Sequence, residues 1–326
     1  MPSFLFATQL RRKEVKAGRK FKTGKYLFGG VLMADYLVRA ISNNANVVGL
    51  ACVTTDLVNQ ASHLHETSRT AAAALGRALT GALLMGALLK RGQRIALKFE
   101  GNGPLKKIIA EADQGGTVRG FVAVPEAEIS FQGEKLNVAG ALGREGLLTV
   151  VKDVGLKEPY RGIVKLLTGE IAEDIAYYFV ESEQVPSAVG LGVFVRTDGE
   201  VSAAGGFLIQ SLPPSESRMV EQLVENIRNI PSITDLLRQG KAPEDILDMI
   251  FSDIAHHFLE RRNLFFRCTC SRDRIERVLL SLGKEELERI ITEQGESNVT
   301  CEFCRTRYHF TRGELEALQG EINPPS

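Results

Sequence analysis

The two segments FFRCTCS, at residues 265–271, and NVTCEFCRTRYHF, at residues 298–310, decide how the rest of the chain is interpreted. They contain four of the chain's five cysteines, Cys268, Cys270, Cys301 and Cys304, as a C-x-C and a C-x-x-C pair with thirty residues between them. Each pair can supply two thiolates from one turn of the chain. Four thiolates with Zn–S distances of about 2.3 Å form a tetrahedral zinc site. The pattern therefore predicts one Zn²⁺ held by these four cysteines.

The C-x-C pair leaves two interpretations of this site open. Zinc keeps cysteine as the thiolate, which is the nucleophilic and oxidisable form. The two pairs could therefore pass from a zinc-bound reduced state to a metal-free state with two short-range disulfides. A permanently structural zinc site is the commoner use of four cysteines. His309, five residues after Cys304, is expected to pack on a short strand rather than to bind zinc.

The composition bounds the class of protein and its compartment. Hydrophobic residues make up 44% and charged residues 25% of the 326 residues, as in globular proteins, and the length allows two domains and a small appendage. Because the formal net charge is zero, no overall positive field attracts nucleic acid or an anionic membrane. Four cysteines in metal spacing favour a reducing cytosol over a secreted disulfide framework, and no window reaches the ~18 apolar residues of a membrane span. We expect a cytoplasmic protein with neither membrane nor nucleic acid as a partner.

Residues 1–32 differ from the rest of the chain in charge, since Glu14 is the single acid among eight lysines and arginines. A basic segment that is poor in acids is typical of an organellar transit peptide or of a nucleic-acid-binding arm. An upstream extension, with translation starting at Met33, is the simpler interpretation. We expect the chain to be poorly ordered before Asp35.

Residues 33–214 are predicted to form a mixed-sheet core domain of the α+β class. Strands are predicted at residues 47–54, 94–100, 118–124, 147–151, 189–196 and 201–210, and helices at residues 63–90 and 169–182. The strands and helices do not alternate in regular βαβ units, which argues against a doubly wound parallel sheet. Cys52, in an apolar strand, is expected to be a small buried residue.

Residues 215–264, after the boundary at Pro213-Pro214, are predicted to form a helical linker of low stability. Ser232 begins a capping box, and Pro243 suits the first turn of a later helix. That helix is expected to carry Ile246, Leu247, Ile250, Ile254 and Phe258 on one side. These apolar stripes are too narrow to bury one another, so the linker depends on packing against a neighbouring domain. A zinc-binding domain at residues 265–320 and a tail at residues 321–326 complete the chain.

No sequence motif of an enzyme accompanies these elements. The chain lacks G-x-G-x-x-G, the P-loop motif and G-x-S-x-G, so neither a nucleotide nor a serine nucleophile is predicted. Glu170, Glu173 and Asp174 lie close together in a predicted helix. We expect them to form a solvated face rather than an acid/base pair, because no nucleophile accompanies them. We therefore predict no catalytic residue.

The chain resembles the heat shock protein 33 family, the redox-regulated 33-kDa bacterial chaperones. The stretches that carry the resemblance are MADYLVRAI at 33–41, ALGRALTGALLMGALLK at 74–90, FEGNGPLKKIIAEADQGGTVRGFV at 99–122, GEIAEDIAYYFVESEQVPSAVGLGV at 169–193 and AAGGFLIQSLP at 203–213. The cysteine segments complete it, and the likeness runs in family order from Met33 to about Leu318. Residues 1–32 depart from it, which supports the interpretation of them as an extension.

The resemblance implies a binding function without catalytic turnover. It implies that the reduced protein holds one Zn²⁺ and is inactive, and that oxidants form the disulfides Cys268–Cys270 and Cys301–Cys304 and release the metal. The zinc domain and the linker then unfold, and the protein acts in the oxidative stress response as an ATP-independent holdase. The implied partners are unfolding client proteins, a second copy of the oxidised chain, and ATP-dependent foldases that receive the clients.

Two other functions are compatible with parts of the pattern. A zinc-ribbon protein that binds RNA or the ribosome would use the basic and aromatic residues Arg305, Arg307, Tyr308 and Phe310, and it predicts salt-sensitive RNA binding, which the neutral net charge disfavours. A thiol oxidoreductase would use Cys301 and Cys304, but the motif lacks a thioredoxin-like strand-to-helix setting. Neither alternative explains why four cysteines follow a linker of low stability.

Overall fold

The structure, a computed structural model, describes residues 34–43, 47–129, 135–212 and 217–322. The predictions for the basic segment 1–32, for the Pro213-Pro214 boundary and for the end of the tail lie outside these residues. The chain divides into two compact units, Met1–Phe266 and Arg267–Ser326. Each unit contains both helices and strands, so the predicted α+β class is confirmed. The finer domain boundaries at residues 214, 264 and 320 stay a prediction.

The first unit is built from two sheets and the helices that cover them. Its strands are β1 (Tyr36–Ser42), β2 (Val47–Val53), β3 (Arg94–Gly101), β4 (Lys107–Asp113), β5 (Thr117–Val122), β6 (Gly146–Asp153), β7 (Tyr160–Lys165), β8 (Ser187–Val195), β9 (Val201–Ser211), β10 (His256–Asn263) and β11 (Phe265–Phe266). Its helices are α1 (Thr55–His65), α2 (Arg69–Gly86), α3 (Val138–Leu142), α4 (Ala172–Glu181), α5 (Ser217–Asn229), α6 (Ile233–Arg238) and α7 (Pro243–Ile250). All six predicted strands are present.

A five-stranded sheet takes part in two hydrophobic cores. Its strand order is β10-β1-β2-β9-β8, and its neighbouring strands are antiparallel. Alternate side chains of a strand point to opposite faces. Leu37 and Cys52, which are opposite each other in β1 and β2, therefore lie in one core, and Tyr36 and Val38 lie in the other. Cys52 is fully buried, as predicted.

A six-stranded sheet with the order β11-β5-β4-β3-β6-β7 closes the first core from the other side. It is mixed, because β11 runs parallel to β5 while the other pairs are antiparallel. Helix α2 contacts strands of both sheets and is buried on nearly all sides. Its alanines and glycines permit this close packing: a Cβ atom added to Gly76 would lie 2.5 Å from Val58 Cγ1.

The predicted helix at residues 63–90 is wrong at its start. Helix α1 begins at Thr55, covers residues 55–62, for which no helix is predicted, and ends at His65. Glu66 then takes a positive φ of 50°, and Ser68 begins α2 by accepting a 3.1 Å hydrogen bond from the backbone N–H of Ala71. A serine that caps a helix at this point stops the preceding one from continuing. The alanine-rich pattern predicted the helix but not the break.

The expected solvated acidic face on α4 is wrong for Asp174, which is completely buried. Its carboxylate accepts hydrogen bonds from the backbone N–H groups of Leu167, Thr168 and Ile171, at 2.7, 3.0 and 3.0 Å. It therefore closes the loop that enters the helix. Glu170, by contrast, forms an ion pair with Arg77 on α2. The acidic group has a structural role in the packing of α4.

Helices α5–α7 cover the second face of the five-stranded sheet. The Ser232 cap is confirmed by a 3.2 Å hydrogen bond from the Asp235 N–H, and Pro243 is the first residue of α7. Helices α6 and α7 pack on the sheet, whereas α5 packs on α7. A Cβ atom on Gly49 would lie 2.6 Å from the Phe251 ring, which shows how closely the segment after α7 approaches β2.

The expected continuation of α7 through Ile254 and Phe258 is wrong. The helix ends at Ile250, and β10 forms an antiparallel edge strand beside β1, with Phe258 opposite Ala40. Leu264 follows with its side chain buried, and its N–H donates to the Asp35 carbonyl at 2.9 Å. The partner strand is more than 200 residues earlier in the sequence, so local periodicity does not reveal it.

The second unit is small and contains three helices and a hairpin within the described residues. Its elements are α8 (Arg272–Ser281), α9 (Lys284–Glu293), β12 (Glu296–Thr300), β13 (Arg307–Thr311) and α10 (Arg312–Ile322). Its buried core consists of Leu279, Leu287, Ile291, Phe310, Leu315 and Leu318. A core of this size is marginal for a fold of about 60 residues without a metal or a disulfide. None of the described helices of either unit combines the length and the hydropathy of a membrane span.

Candidate metal centre

The turn between β12 and β13 supplies Cys301 and Cys304. Val299 is opposite Tyr308 and Thr300 is opposite Arg307 in the hairpin, so the two cysteines lie in its connecting turn. The turn is closed by two backbone hydrogen bonds, from the Cys301 N–H to the Thr306 carbonyl at 2.9 Å and from the Arg305 N–H to the Cys301 carbonyl at 2.8 Å. Arg305 takes a positive φ of 55° to allow this. The C-x-x-C pair thus lies in a turn that two backbone hydrogen bonds close.

The segment that enters α8 supplies Cys268 and Cys270. Ser271 caps the helix by accepting a 3.3 Å hydrogen bond from the Arg274 N–H. The Arg274 side chain then reaches back to Thr269, between the two cysteines, and donates to its carbonyl at 3.0 Å and its hydroxyl at 2.9 Å. The C-x-C segment is therefore fixed by the first turn of the helix that follows it.

The second unit brings all four predicted ligands together. Their sulfur atoms lie within 4.8 Å of one another. Cys268 Sγ is 3.8 Å from Cys301 Sγ, and Cys270 Sγ is 3.2 Å from Cys304 Sγ. Four sulfurs at about 2.3 Å from a tetrahedral metal lie about 3.8 Å apart, so the arrangement fits a Cys₄ site. The cluster could hold a metal ion, and that this ion is zinc stays a prediction.

Two hydroxyl groups contact the sulfur atoms. Tyr308 donates to Cys270 Sγ at 3.1 Å, and Thr306 Oγ1 lies 3.2 Å from Cys304 Sγ. Partial burial, together with the neighbouring sulfurs, raises the pKa of Cys270 to about 12 against the effect of Tyr308. Burial also acts to raise the pKa of Cys304, but the hydroxyl and backbone hydrogen bonds of Thr306 and the sulfurs of Cys270 and Cys301 lower it to about 7. Of Cys270 and Cys304, Cys304 is therefore the thiol that ionises more easily.

Arg272 connects the cysteine segments to the core of the second unit. It is the first residue of α8, and its guanidinium donates to the His309 carbonyl on β13 at 3.0 Å and to Glu314 on α10 at 2.7 Å. The same group lies 4.3 Å from the centre of the Phe310 ring. These contacts join α8, β13 and α10 directly beside the cysteine cluster.

The other residues considered in the sequence lie outside the cluster. His309 is on β13 as expected, but its side chain is about half exposed and its Nδ1 lies 3.1 Å from Asn298 Oδ1, so it neither packs in the core nor joins the sulfurs. Among the basic and aromatic residues of a possible RNA-binding patch, Phe310 is fully buried and Tyr308 contacts Cys270. Both aromatic side chains are therefore used within the fold, which weakens the RNA-binding interpretation.

Sequence analysis missed the contacts of Tyr308 and Thr306 with the sulfurs. Both residues follow Cys304 closely, and the sequence pattern indicates for Tyr308 only a possible contact with nucleic acid. Residues on the strand that leaves a C-x-x-C turn are natural candidates for outer-shell contacts, because the hairpin brings them back toward the ligands. That position in the hairpin is the signal that could have identified them.

Comparison with known proteins places these features in a family. Residues 35–311 match the sequence profile described as Hsp33 protein. The chain is 57% identical over 291 residues to the 33 kDa chaperonin of Geobacter sulfurreducens, covering 89% of this chain and 97% of that protein. It is 44% identical over 291 residues to the 33 kDa chaperonin of Caldanaerobacter subterraneus subsp. tengcongensis, covering 99% of that protein.

A solved structure agrees with the fold. The crystal structure of the 33 kDa chaperonin from Thermotoga maritima, described as a heat shock protein 33 homolog, superposes with a TM-score of 0.82 at 40% identity. The match covers 88% of this chain and 98% of that one. The likeness therefore extends over both compact units rather than over the cysteine cluster alone.

Proposed function

The chain belongs to the Hsp33 family of chaperones, and from this membership we propose that it is a redox-regulated, ATP-independent holdase. The observation that supports the proposal most is the cluster of four sulfurs within 4.8 Å in a unit with a very small core. Such a unit is expected to depend on its metal for folding, so the oxidation state of four cysteines can control its structure.

In the reduced state the four cysteines Cys268, Cys270, Cys301 and Cys304 would hold one Zn²⁺, and the protein would not bind clients. When bound, zinc supplies a cross-link between the turn of the β12–β13 hairpin and the segment before α8. Structural zinc contributes about 10–16 kcal/mol of apparent binding free energy in small domains, and this is also their folding free energy. The buried core of the second unit is too small to replace it.

Oxidation would form the disulfides Cys268–Cys270 and Cys301–Cys304 and release the metal. The nearest sulfurs in the folded unit belong to different pairs, at 3.8 and 3.2 Å. Once the metal leaves and the unit unfolds, the two segments separate, whereas the cysteines of one pair stay close, with only one or two residues between them. Short loops close with the smallest entropy loss, which favours bonds within each pair.

The client-binding surface would come from the helical linker and the sheet that it covers. Helix α5 buries only Leu223 and Ile227, and α7 lies over apolar residues of β1 and β2. Unfolding of residues 215–264 under oxidising and heating conditions would expose both apolar surfaces. Exposed apolar area of this kind binds other proteins that are losing their own cores. No nucleotide is required in this scheme.

The oxidised protein would act on other proteins, in the cytoplasm. The oxidised protein would form a homodimer, hold unfolding proteins in the cytoplasm during oxidative stress, and pass them to ATP-dependent foldases when reducing conditions return. The function is one of binding, with no catalytic residue assigned. The family membership and the names of the relatives support the chaperone role.

Light scattering by a heat-unfolding client protein tests this function. The reduced, zinc-loaded protein is expected to leave aggregation unchanged, and protein treated with peroxide at elevated temperature is expected to suppress it. Reduction with dithiothreitol in the presence of zinc should reverse the effect. A variant with all four cysteines replaced by serine is the control, because peroxide should not change its activity. Equal suppression by the reduced and oxidised wild-type forms would contradict the proposal.

A further inference from the structure

The Tyr308 hydroxyl forms a contact between the two cysteine segments that zinc coordination alone does not require. Tyr308 lies on β13, opposite Val299 of β12, and its ring packs against the core of the second unit. Its hydroxyl is 3.1 Å from Cys270 Sγ, which belongs to the segment before α8. The hydrogen bond therefore connects the hairpin to the C-x-C pair.

The direction of this hydrogen bond is set by the chemistry of a ligating sulfur. A thiolate has lone pairs and no proton, so it can only accept, and the phenolic O–H must donate. Hydrogen bonds to charged acceptors are stronger than neutral ones. A donor on a ligand atom draws electron density away from it, which makes the sulfur a weaker nucleophile while it keeps the sulfur oriented toward the metal.

We propose that Tyr308 is a positioning residue of the thiol switch, whose hydroxyl holds the Cys270 thiolate on the metal and slows its reaction with peroxide. This inference rests on the proposed function of the four cysteines as metal ligands and redox sensors. Tyr308 would set the rate at which peroxide oxidises the cysteines. The four cysteine ligands would determine whether the switch exists at all. Outer-shell groups of this kind typically change metal affinity by 10–100-fold when they are removed.

The redox step that Tyr308 would slow is the oxidation of two cysteine thiolates by one molecule of hydrogen peroxide. The two thiolates lose one electron each and form one S–S bond. The peroxide O–O bond breaks, and its two oxygens take up those electrons and two protons from solvent to leave as two water molecules. The first contact is the attack of a thiolate sulfur on a peroxide oxygen, and its rate depends on the nucleophilicity of that sulfur.

The test is Tyr308→Phe in the full chain, which keeps the ring packed against the core and removes only the hydroxyl. With Co²⁺ as the probe metal, the thiolate-to-cobalt charge-transfer band of the variant is expected at longer wavelength than that of the wild type, because the sulfur electrons are less stabilised. Metal affinity should fall by about tenfold, and peroxide should release zinc severalfold faster. Tyr160→Phe is the matched control, since that hydroxyl is near Ser182 in the first unit.

The outcomes separate this inference from the function on which it depends. If wild-type protein gives no tetrahedral thiolate spectrum with Co²⁺, the proposed metal site itself is wrong. If the wild type gives that spectrum and Tyr308→Phe matches it in band position, affinity and release rate, only the role of Tyr308 is overturned. A loss of thermal stability with an unmoved band would likewise overturn it, because a purely packing role predicts that result.

A second measurement does not require the phenylalanine variant to fold. Biosynthetic replacement of tyrosine by 3-fluorotyrosine makes the phenolic hydroxyl a stronger hydrogen-bond donor without removing it. The charge-transfer band of the fluorinated wild-type protein is expected at shorter wavelength than that of the unlabelled protein, and zinc release by peroxide should be slower. An unchanged band and rate would contradict the proposed hydrogen bond to Cys270.

Discussion

The hydroxyl of Tyr36, on β1, donates a 2.8 Å hydrogen bond to Glu244 Oε2 in the first turn of α7. The tyrosine is almost completely buried, and the Arg261 guanidinium from β10 lies 3.8 Å from the centre of its ring. One side chain thus joins the sheet, helix α7 and the edge strand β10. These elements contribute to the proposed client-binding surface. The Tyr36–Glu244 hydrogen bond is therefore expected to oppose the separation of α7 from the sheet.

Replacement of Tyr36 by phenylalanine should weaken the attachment of α7. A hydrogen bond to a charged group contributes about 1.5–3 kcal/mol, so we expect the free energy of unfolding to fall by about 1.5 kcal/mol. Hydrogen exchange of the amides in α7 should accelerate in the reduced protein. Tyr177→Phe, on α4 in the same unit, is a control that leaves α7 protected. Unchanged exchange in α7 of the Tyr36 variant would show that the bond does not hold the helix.

Asp35 gives the first unit a defined dependence on pH. Its carboxylate accepts hydrogen bonds from the backbone N–H groups of Leu57 and Asp56, at 2.7 and 3.2 Å, and so caps α1 from outside the helix. Burial nevertheless raises the pKa of Asp35 from 3.8 to about 7. Since the folded state holds the proton more tightly than the unfolded state, stability is lost as the pH rises from about 4 to about 7.

The variant Asp35→Asn isolates this effect, because asparagine does not titrate. The unfolding free energy of the wild type, minus that of the variant, should fall as the pH rises from about 4 to about 7. Above about pH 8 this difference should stay constant. Urea unfolding of both proteins at a series of pH values measures it. Parallel stability curves for the two proteins would exclude a raised pKa at this position.

Arg272 should be needed for the stability of the second unit. Its guanidinium contacts the His309 carbonyl, Glu314 and the Phe310 ring, but the side chain is about 40% exposed, so each contact is partly screened. We expect Arg272→Ala to lower the unfolding free energy of the zinc-loaded unit by about 1 kcal/mol. Arg277→Ala, an exposed change on the same helix, should have little effect. Equal unfolding midpoints for the two variants would argue against the role of Arg272.

Metal removal should unfold one unit and spare the other. A chelator added to the reduced protein is expected to abolish the amide protection of β12, β13 and α8, because six buried side chains do not stabilise this unit alone. The strands β2 and β9 should stay protected, since they lie in the large cores of the first unit. Hydrogen exchange with peptide resolution measures both. Retained protection of the hairpin without metal would show that the unit folds independently of the ion.

The features that were predictable from sequence are the local ones. The cysteine spacing, the Ser232 cap and the strands of the core domain depend on residues that are near one another in the chain, so their patterns are visible without a structure. The two cysteine pairs are far apart in sequence, but each carries its own turn, and the chemistry of a Cys₄ site indicates that they meet.

The features that sequence analysis missed depend on distant partners. Residues 256–263 form a strand because β1 offers its free edge, and nothing in their own sequence distinguishes them from the helices before them. Asp174 is buried because four backbone N–H groups of a loop point at it, which a helical pattern of acidic residues does not show. The contact between Tyr308 and Cys270 likewise requires the relative placement of β13 and α8.

The most direct test of the central claim is to count free thiols and released zinc in the same sample during peroxide treatment. Our account predicts that the loss of four thiols accompanies the release of one zinc ion, with Cys52 unreacted because it is fully buried. Peptide mapping should then find Cys268–Cys270 and Cys301–Cys304 bonds. Zinc that stays bound after peroxide has suppressed client aggregation, or four thiols that survive it, would contradict the account.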